Sequence, residues 1–316
     1  MSKMRFAVVG CGGRGRGHLR ILATFADVEV VAICDPVEAS RAAALGDVSV
    51  PGVYASTDEL LASEELDGVV VATPAHLNAP AALPVLQAGV NALLEKPPGL
   101  TVPETEELRD AASASGALAM VGWNRRFNPI IARALDMTRD RGPVTQVVGE
   151  FHKSLTRIAA SQSFPDAILD NMILETTTHA VDTIRFLAGS DIVEVHAISR
   201  RAVSEYKDVY AALVLFENGV VGHLISNYTS DARLERYELH GRDISTYMEG
   251  VSSGVVWSDG GQTPLAPDGV DSTRAQDRHF VDCVRDGRRI ESPAANLDEA
   301  VKTMQFTQAV IDGLRE

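Results

Sequence analysis

The sequence is poor in cysteine, in positive charge and in long apolar runs, and each shortage closes off a class of protein. Its three cysteines, Cys11, Cys34 and Cys283, are widely separated, odd in number and without Cys-x-x-Cys spacing. Neither a disulfide framework nor a zinc knuckle follows from such a set, and a reducing cytoplasm is the expected compartment. No apolar run approaches the roughly 18 residues of a membrane-crossing helix, and the N-terminus enters the apolar stretch 6–9 too soon for a signal-peptide core. No membrane association is expected. With 29 Lys and Arg against 43 Asp and Glu, the formal net charge of -14 would repel the phosphate backbones that a nucleic-acid binder must neutralise. Nucleic acid is therefore not an expected partner. What remains is an ordinary globular composition, with a mean hydropathy of +0.01. At 316 residues the chain exceeds a common single domain, so two are expected.

Short apolar runs alternate with helical patterns from the start. Strands are predicted at 6–9, 28–33, 53–54, 68–72, 91–95 and 118–121, and helices near 13–25, 37–45, 57–63, 77–88 and 103–115. The last helix stops at Gly116, where a left-handed cap is sterically free. Continuous apolar runs separated by helices indicate buried parallel strands, so residues 1–122 read as a doubly wound α/β domain. Past Gly122 the strands alternate only partly, at 144–151, 193–200, 209–216, 220–228 and 236–240. Asn218-Gly219 joins two of them as a hairpin. An α+β domain with a mainly antiparallel sheet is predicted over 123–316, with helices at 173–188, 275–286 and 297–313. The Gly, Ser, Pro and Asp-rich stretch 252–271 reads as a mobile loop.

Gly10-Cys11-Gly12-Gly13-Arg14-Gly15 satisfies Gly-x-Gly-x-x-Gly between a predicted strand and a predicted helix. The first glycine permits a tight turn, the second lets the backbone approach a pyrophosphate, and the third lets helix pack on strand. The helix N-terminus supplies amides and partial positive charge. Such a turn alone needs no ligand, but Asp35 lies twenty residues beyond Gly15, where a carboxylate can accept from a ribose diol. Residues 6–35 are thus expected to hold NAD(H). Asp35 would repel a 2'-phosphate and Pro36 stands where an arginine would favour NADP, so NADP is the lesser expectation. Arg14 and Arg16 read as solvated first-turn residues near the phosphate position, without an assigned role.

Glu95-Lys96-Pro97-Pro98 ends a strand at the carboxyl edge of the doubly wound sheet, where ligands bind. Lys96 is thereby delivered to the cofactor cleft, although a solvated loop lysine would read the same way. On the helix at 173–188, Glu175, His179 and Asp182 stand at spacings of four and three, which puts them on one helical face. A buried histidine oriented by Asp182 would also fit. A metal is not expected, because one Glu/His pair lacks the further ligands usual for zinc.

These motifs resemble the glucose-fructose oxidoreductase and inositol dehydrogenase family, Gfo/Idh/MocA. The matching text is Val9-Gly10-Cys11-Gly12-Gly13-Arg14-Gly15-Arg16-Gly17-His18, Ala72-Thr73-Pro74, Ala88-Gly89 leading to Glu95-Lys96-Pro97, Gly122-Trp123-Asn124-Arg125-Arg126-Phe127 and His179-Ala180-Val181-Asp182. The resemblance implies a Rossmann domain followed by a substrate-binding and oligomerisation domain, whose open-faced sheet forms subunit contacts in a homodimer or homotetramer. It also implies NAD(P)-dependent oxidation or reduction at a CH–OH group of a sugar, polyol or related carbonyl compound. Carried over by position, Lys96 polarises the reacting oxygen and His179 exchanges its proton. Glu175 takes the place of the usual aspartate, binding a substrate hydroxyl or orienting His179. The implied cofactor contacts are Gly10, Gly12, Gly13, Arg14, Gly15, Asp35, Thr73, Pro74, His76, Asn78, Glu95 and Lys96. Trp123, Lys153 and Asp182 are expected near the substrate, and a cis Lys96-Pro97 bond is expected.

The chain departs from that family pattern at Glu175, at Thr177 where a glycine is usual, and at Asp170-Asn171-Met172 where a glycine pair often stands. Added volume at Thr177 is expected to reshape the pocket. Arg157 and Tyr228 join Lys153 as candidates to line it. Two other functions compete with a dehydrogenase. One is a glycosidase of the same fold that uses NAD transiently; the other is a non-catalytic nucleotide- or sugar-sensing protein.

Overall fold

In a computed structural model of the chain, residues 2–161, 164–267 and 269–315 are described. They form two compact units. The first comprises residues up to Asn124 together with Thr273–Val301, and the second Arg125–Ser272 together with the residues from Lys302 onward.

In the first unit the strands read as unbroken apolar text because both faces of the sheet are covered. Phe6, Ala7, Val69, Val70 and Val71 have no exposed surface. The chain runs β1 (Met4–Val9), α1 (Gly13–Leu22), β2 (Val28–Cys34), α2 (Glu38–Asp47), β3 (Gly52–Tyr54), α3 (Thr57–Ser63), β4 (Gly68–Val71), α4 (Ala75–Gln87), β5 (Asn91–Leu94), α5 (Val102–Ser115) and β6 (Ala119–Val121). The predicted alternation is observed throughout. Ser56 and Thr101 cap α3 and α5 by accepting the Glu59 and Glu104 amides, and Gly116 ends α5 at φ 79°. The parallel order is β3-β2-β1-β4-β5-β6, a doubly wound sheet with its switch point between β1 and β4. Register aligns the strand ends: Val9 pairs with Cys34 and Val71, Val71 with Leu94, and Leu94 with Val121. Whatever follows these residues emerges along one edge.

The second unit is built on an eight-stranded sheet. Its elements are α6 (Pro129–Arg141), β7 (Val144–Ser154), α7 (Leu155–Ala160), α8 (Asp166–Leu169), a π-helical turn Ile173–Thr177 leading into α9 (Thr178–Ala188), β8 (Ile192–Arg200), β9 (Val209–Phe216), β10 (Val221–Asn227), β11 (Thr229–Gly241), β12 (Ile244–Glu249), β13 (Ser253–Ser258) and β14 (Gly261–Leu265). The order is β14-β13-β12-β11-β7-β10-β9-β8, antiparallel except where β10 runs parallel to β7. The Asn218-Gly219 hairpin between β9 and β10 is present. Helix α9 lies close on the sheet because β7 carries no side chain at Gly149, where a Cβ would come within 2.8 Å of Ile184.

Three features depart from the sequence-based expectation. The stretch 252–271 contains the β13–β14 hairpin, turned at Asp259 and Gly260 with φ of 53° and 75°. Its Asp-Gly pair is a hairpin signal that the loop-like composition obscured; Asp268 lies outside the described residues. Helix α6 was not anticipated, although Asn128 accepts from the Ile130 and Ile131 amides and Pro129 opens the helix. Finally, α10 (Ser272–Asp286) and β15 (Ala295–Asn296) do not extend the second unit but return to the first. There β15 pairs antiparallel with β6, and Phe280 meets Phe6 edge-on at 6.1 Å. A last helix, α11 (Leu297–Asp312), closes the chain, and no helix of the described residues is long and apolar enough to cross a membrane.

Candidate active site

The edge formed by the ends of β1, β2, β4 and β5 gathers the sequence-predicted cofactor residues. Two of the glycines are demanded by packing. Gly10 has φ 92° and a Cβ there would come 2.5 Å from the Ala72 carbonyl oxygen, while one at Gly15 would come 1.7 Å from that of Gly10. Gly12 and Gly13 answer to no such constraint, since a Cβ at either would meet nothing within 4 Å. The turn is therefore open on the side of the α1 N-terminus, which has no side-chain cap and no acidic residue in its first turn. Unfilled amides beside bare backbone suit a pyrophosphate.

Asp35 emerges from β2 beside this turn, and its carboxylate accepts the amides of Cys11 at 2.7 Å and Val37 at 2.8 Å. Each oxygen keeps acceptor capacity for a ribose hydroxyl. Thr73 and Pro74 follow β4, and Pro74 and His76 are exposed at the start of α4. Asn78, expected at the cofactor, is instead 1% exposed. Its amide nitrogen donates to the carbonyls of Glu95 and Pro97, and its oxygen accepts from the Thr73 hydroxyl at 3.0 Å. It holds the turn that carries Lys96, where the Lys96-Pro97 bond is cis as expected.

Glu95 is likewise turned inward. Its carboxylate accepts from the Lys96 amide at 3.2 Å and from Arg14, which reaches over from α1 with its Nε at 2.8 Å. The third partner is His18, the last residue of the glycine-turn motif and one without a predicted role. Its Nε2 lies 3.1 Å from Glu95 and its Nδ1 2.8 Å from Asp277 of α10. Burial opposes a charged imidazole here, but the Asp277 and Glu95 carboxylates outweigh it and push His18 up to about 9. Burial likewise opposes the Glu95 carboxylate, yet the His18 hydrogen bond and the charges of Arg14, His18 and Lys96 hold it down at about 2. Asp277 had no sequence signal, because its partner is 259 residues away.

In the second unit, Glu175 and His179 are both half-buried at the start of the α9 segment. The turn through Glu175 is π-helical rather than α-helical, so the i, i+4 face assumed from spacing is interrupted there. Hydroxyls secure that turn. Thr177 bonds Ser226 at 2.7 Å and Tyr228 at 2.8 Å, Thr176 also bonds Tyr228, and the Tyr228 hydroxyl donates to the Met172 carbonyl at 2.8 Å. Thr177 thus faces the sheet and adds no volume to a cleft. Tyr228, expected to line one, is 1% exposed, and burial pushes its phenol above the usual range.

Two of the candidates for substrate contact are buried and engaged elsewhere. Asp182 is fully buried, with its carboxylate held by Arg126 in two bonds of 2.7 and 2.8 Å and by Thr303. Trp123 is 1% exposed and packs in the core of the first unit with Leu94, Val121 and Leu297. Lys153 remains partly exposed on the helix-covered face of β7, its ammonium 5.8 Å from the Phe151 ring. Arg157 pairs with Asp231 at the surface. Among the described residues no cluster of His, Cys, Asp and Glu could hold a metal ion.

The similarity of the chain to known proteins is specific. Residues 4–123 match the model of an oxidoreductase family with an NAD-binding Rossmann fold, and residues 133–246 match the Gfo/Idh/MocA C-terminal domain. The chain belongs to the Gfo/Idh/MocA family. Its first unit is accordingly an NAD-binding Rossmann domain of an oxidoreductase. An inositol 2-dehydrogenase of Corynebacterium glutamicum is 31% identical over 70% of this chain and 66% of its own. A D-apiose dehydrogenase of Paraburkholderia graminis is 25% identical over all of this chain and 89% of its own. Among solved structures, GenD2 from gentamicin A biosynthesis, in complex with NAD, is 26% identical with a TM-score of 0.79, covering 99% of this chain and 94% of its own.

Two outcomes test this Gfo/Idh/MocA site. Asp35→Ala is expected to raise the NAD dissociation constant about tenfold and to narrow the preference over NADP, read by fluorescence titration; an unchanged preference would remove Asp35 from the ribose. Tyr228→Phe is expected to lower unfolding stability by about 1–3 kcal/mol in urea denaturation, because it strips a buried bond from Met172 and both threonines. A loss below about 0.5 kcal/mol would show that the hydroxyl does not secure the turn.

Proposed function

We propose that this protein is an NAD-dependent dehydrogenase that moves a hydride between nicotinamide and a CH–OH carbon of a sugar, polyol or sugar derivative. The reading rests above all on the shared edge, where the register of β1, β2, β4 and β5 lines up the open glycine turn, Asp35, Thr73 and Lys96. Relatives named as inositol and apiose dehydrogenases support it. When bound, NAD supplies the hydride acceptor.

The first unit holds the cofactor in this reading, with Gly10, Gly12, Gly13 and Gly15 at the pyrophosphate, Asp35 at the ribose, and Thr73, Pro74 and His76 beyond β4. Glu95 and Asn78 act on the cofactor site indirectly, by fixing the Lys96 turn. The Lys96 ammonium stabilises negative charge as the substrate hydroxyl becomes a carbonyl. His179 takes the hydroxyl proton, work suited to an imidazole near neutral pH. Glu175 binds a substrate hydroxyl, and Lys153 contributes to the substrate wall.

The same reading makes the protein a cytoplasmic homo-oligomer. Three buried free thiols suit a reducing compartment. The sheet face away from α9 exposes Leu213, Leu215 and Ile225 at 45%, 38% and 40%, a row of apolar side chains that a second copy would cover.

Polyols, aldoses, sugar acids and nucleotide sugars, tested with NAD and NADP by NADH fluorescence, should yield at least one substrate. Lys96→Met and His179→Ala should each lower kcat by about 100-fold or more with NAD affinity retained. Full activity in both variants would overturn the assignment, and aglycone release without NADH accumulation would select the glycosidase. Leu213→Asp should lower the mass seen in sedimentation velocity to that of a monomer; an unchanged assembly would clear this face of the role.

A further inference from the structure

The buried His18 is absent from the chemistry above, yet its surroundings are fully built. Both of its ring nitrogens face carboxylates, Asp277 at 2.8 Å and Glu95 at 3.1 Å. Only an imidazolium has a hydrogen to donate on each side at once. His18 is 1% exposed, Asp277 0% and Glu95 5%, so water does not compete for these bonds. The fixed Glu95 carboxylate in turn receives the Lys96 amide and the Arg14 guanidinium. One proton thus ties three separate pieces together: α10, the helix behind the glycine turn, and the turn after β5.

We propose that His18 is a positioning residue, clamped as an imidazolium between Asp277 and Glu95 so that Glu95 holds the Lys96 turn and the Arg14 end of the glycine turn in one geometry. This rests on the reading of that edge as the cofactor and reaction site, but its central measurement does not depend on turnover. Removing the imidazolium leaves Glu95 and Asp277 as two buried carboxylates without their shared partner, and the Lys96 amide loses a fixed acceptor.

The charged groups facing His18 are Asp277 from α10 and Glu95 after β5, with Arg14 on its own helix and Lys96 reaching it through Glu95. Its value in the folded protein lies above the ordinary 6.5, so the clamp is complete below that pH and is lost as pH rises through about 9.

Hydrogen–deuterium exchange by mass spectrometry, resolved to single amides on the full chain, tests the proposal. In His18→Gln the Lys96 amide should exchange about tenfold faster while the amides of Val70 and Val71 stay protected. In the unaltered protein, Lys96 protection corrected for intrinsic base catalysis should fall through about pH 9, which requires no variant to fold. Unchanged Lys96 exchange in folded His18→Gln, or protection that is flat from pH 7 to 10, would overturn it. A failed dehydrogenase reading shows differently, as full turnover in Lys96→Met, to which this exchange is blind.

Discussion

Parallel pairing in register is the constraint on which the rest of the first unit depends. Val9, Cys34, Val71, Leu94 and Val121 fall in line across the sheet, so segments separated by tens of residues leave it side by side. Hydrophobic burial on both faces sets that register, because the central strands β1, β4 and β5 are packed from above and below. No residue at the edge need attract another. The glycine turn, Asp35, the Thr73 segment and Lys96 are delivered by strands whose own side chains have no part in chemistry.

Charge is used in the interior in an unusual way for so acidic a chain. Asp277, His18 and Glu95 in the first unit, and Arg126 with Asp182 in the second, are ion pairs almost without solvent contact. Such pairs seldom add much net stability, since desolvation offsets their attraction, but losing one partner costs about 3–5 kcal/mol. Their value is directional. A hydrophobic contact tolerates sliding, whereas a carboxylate gripped by two donors has one position.

What could be read in the sequence follows the range of the forces involved. Strands β1 to β6 were legible because continuous burial writes itself as runs such as Val69-Val70-Val71, and the glycine turn because its steric demands are local. The return of α10 and β15 was not, since the pairing of Ala295 with Val121 depends on a distant sheet edge with room for another strand. At the site, Lys96 and Asp35 were placed by counting along strands. Asp182 and Trp123 went astray because spacing cannot distinguish a residue facing a cleft from one facing a core. Thr177 misled for a related reason: the comparison with glycine registers its volume, but the side chain points to Ser226 and Tyr228. The π turn was hidden because i, i+4 counting presupposes the α-helix it replaces.

Asp35 carries a consequence for redesign. Its two oxygens accept the amides of Cys11 and Val37. The carboxylate proposed to meet the adenosine ribose is thus also part of the scaffold of the glycine turn. On the proposed function, cofactor choice and loop shape would rest on a single side chain, and a variant meant to accept a phosphorylated ribose would need a cation for the phosphate and new acceptors for the Cys11 and Val37 amides. In that reading, replacing Asp35 would disturb the loop as well as the ribose contact, so a narrowed NAD preference would come together with a general loss of dinucleotide affinity.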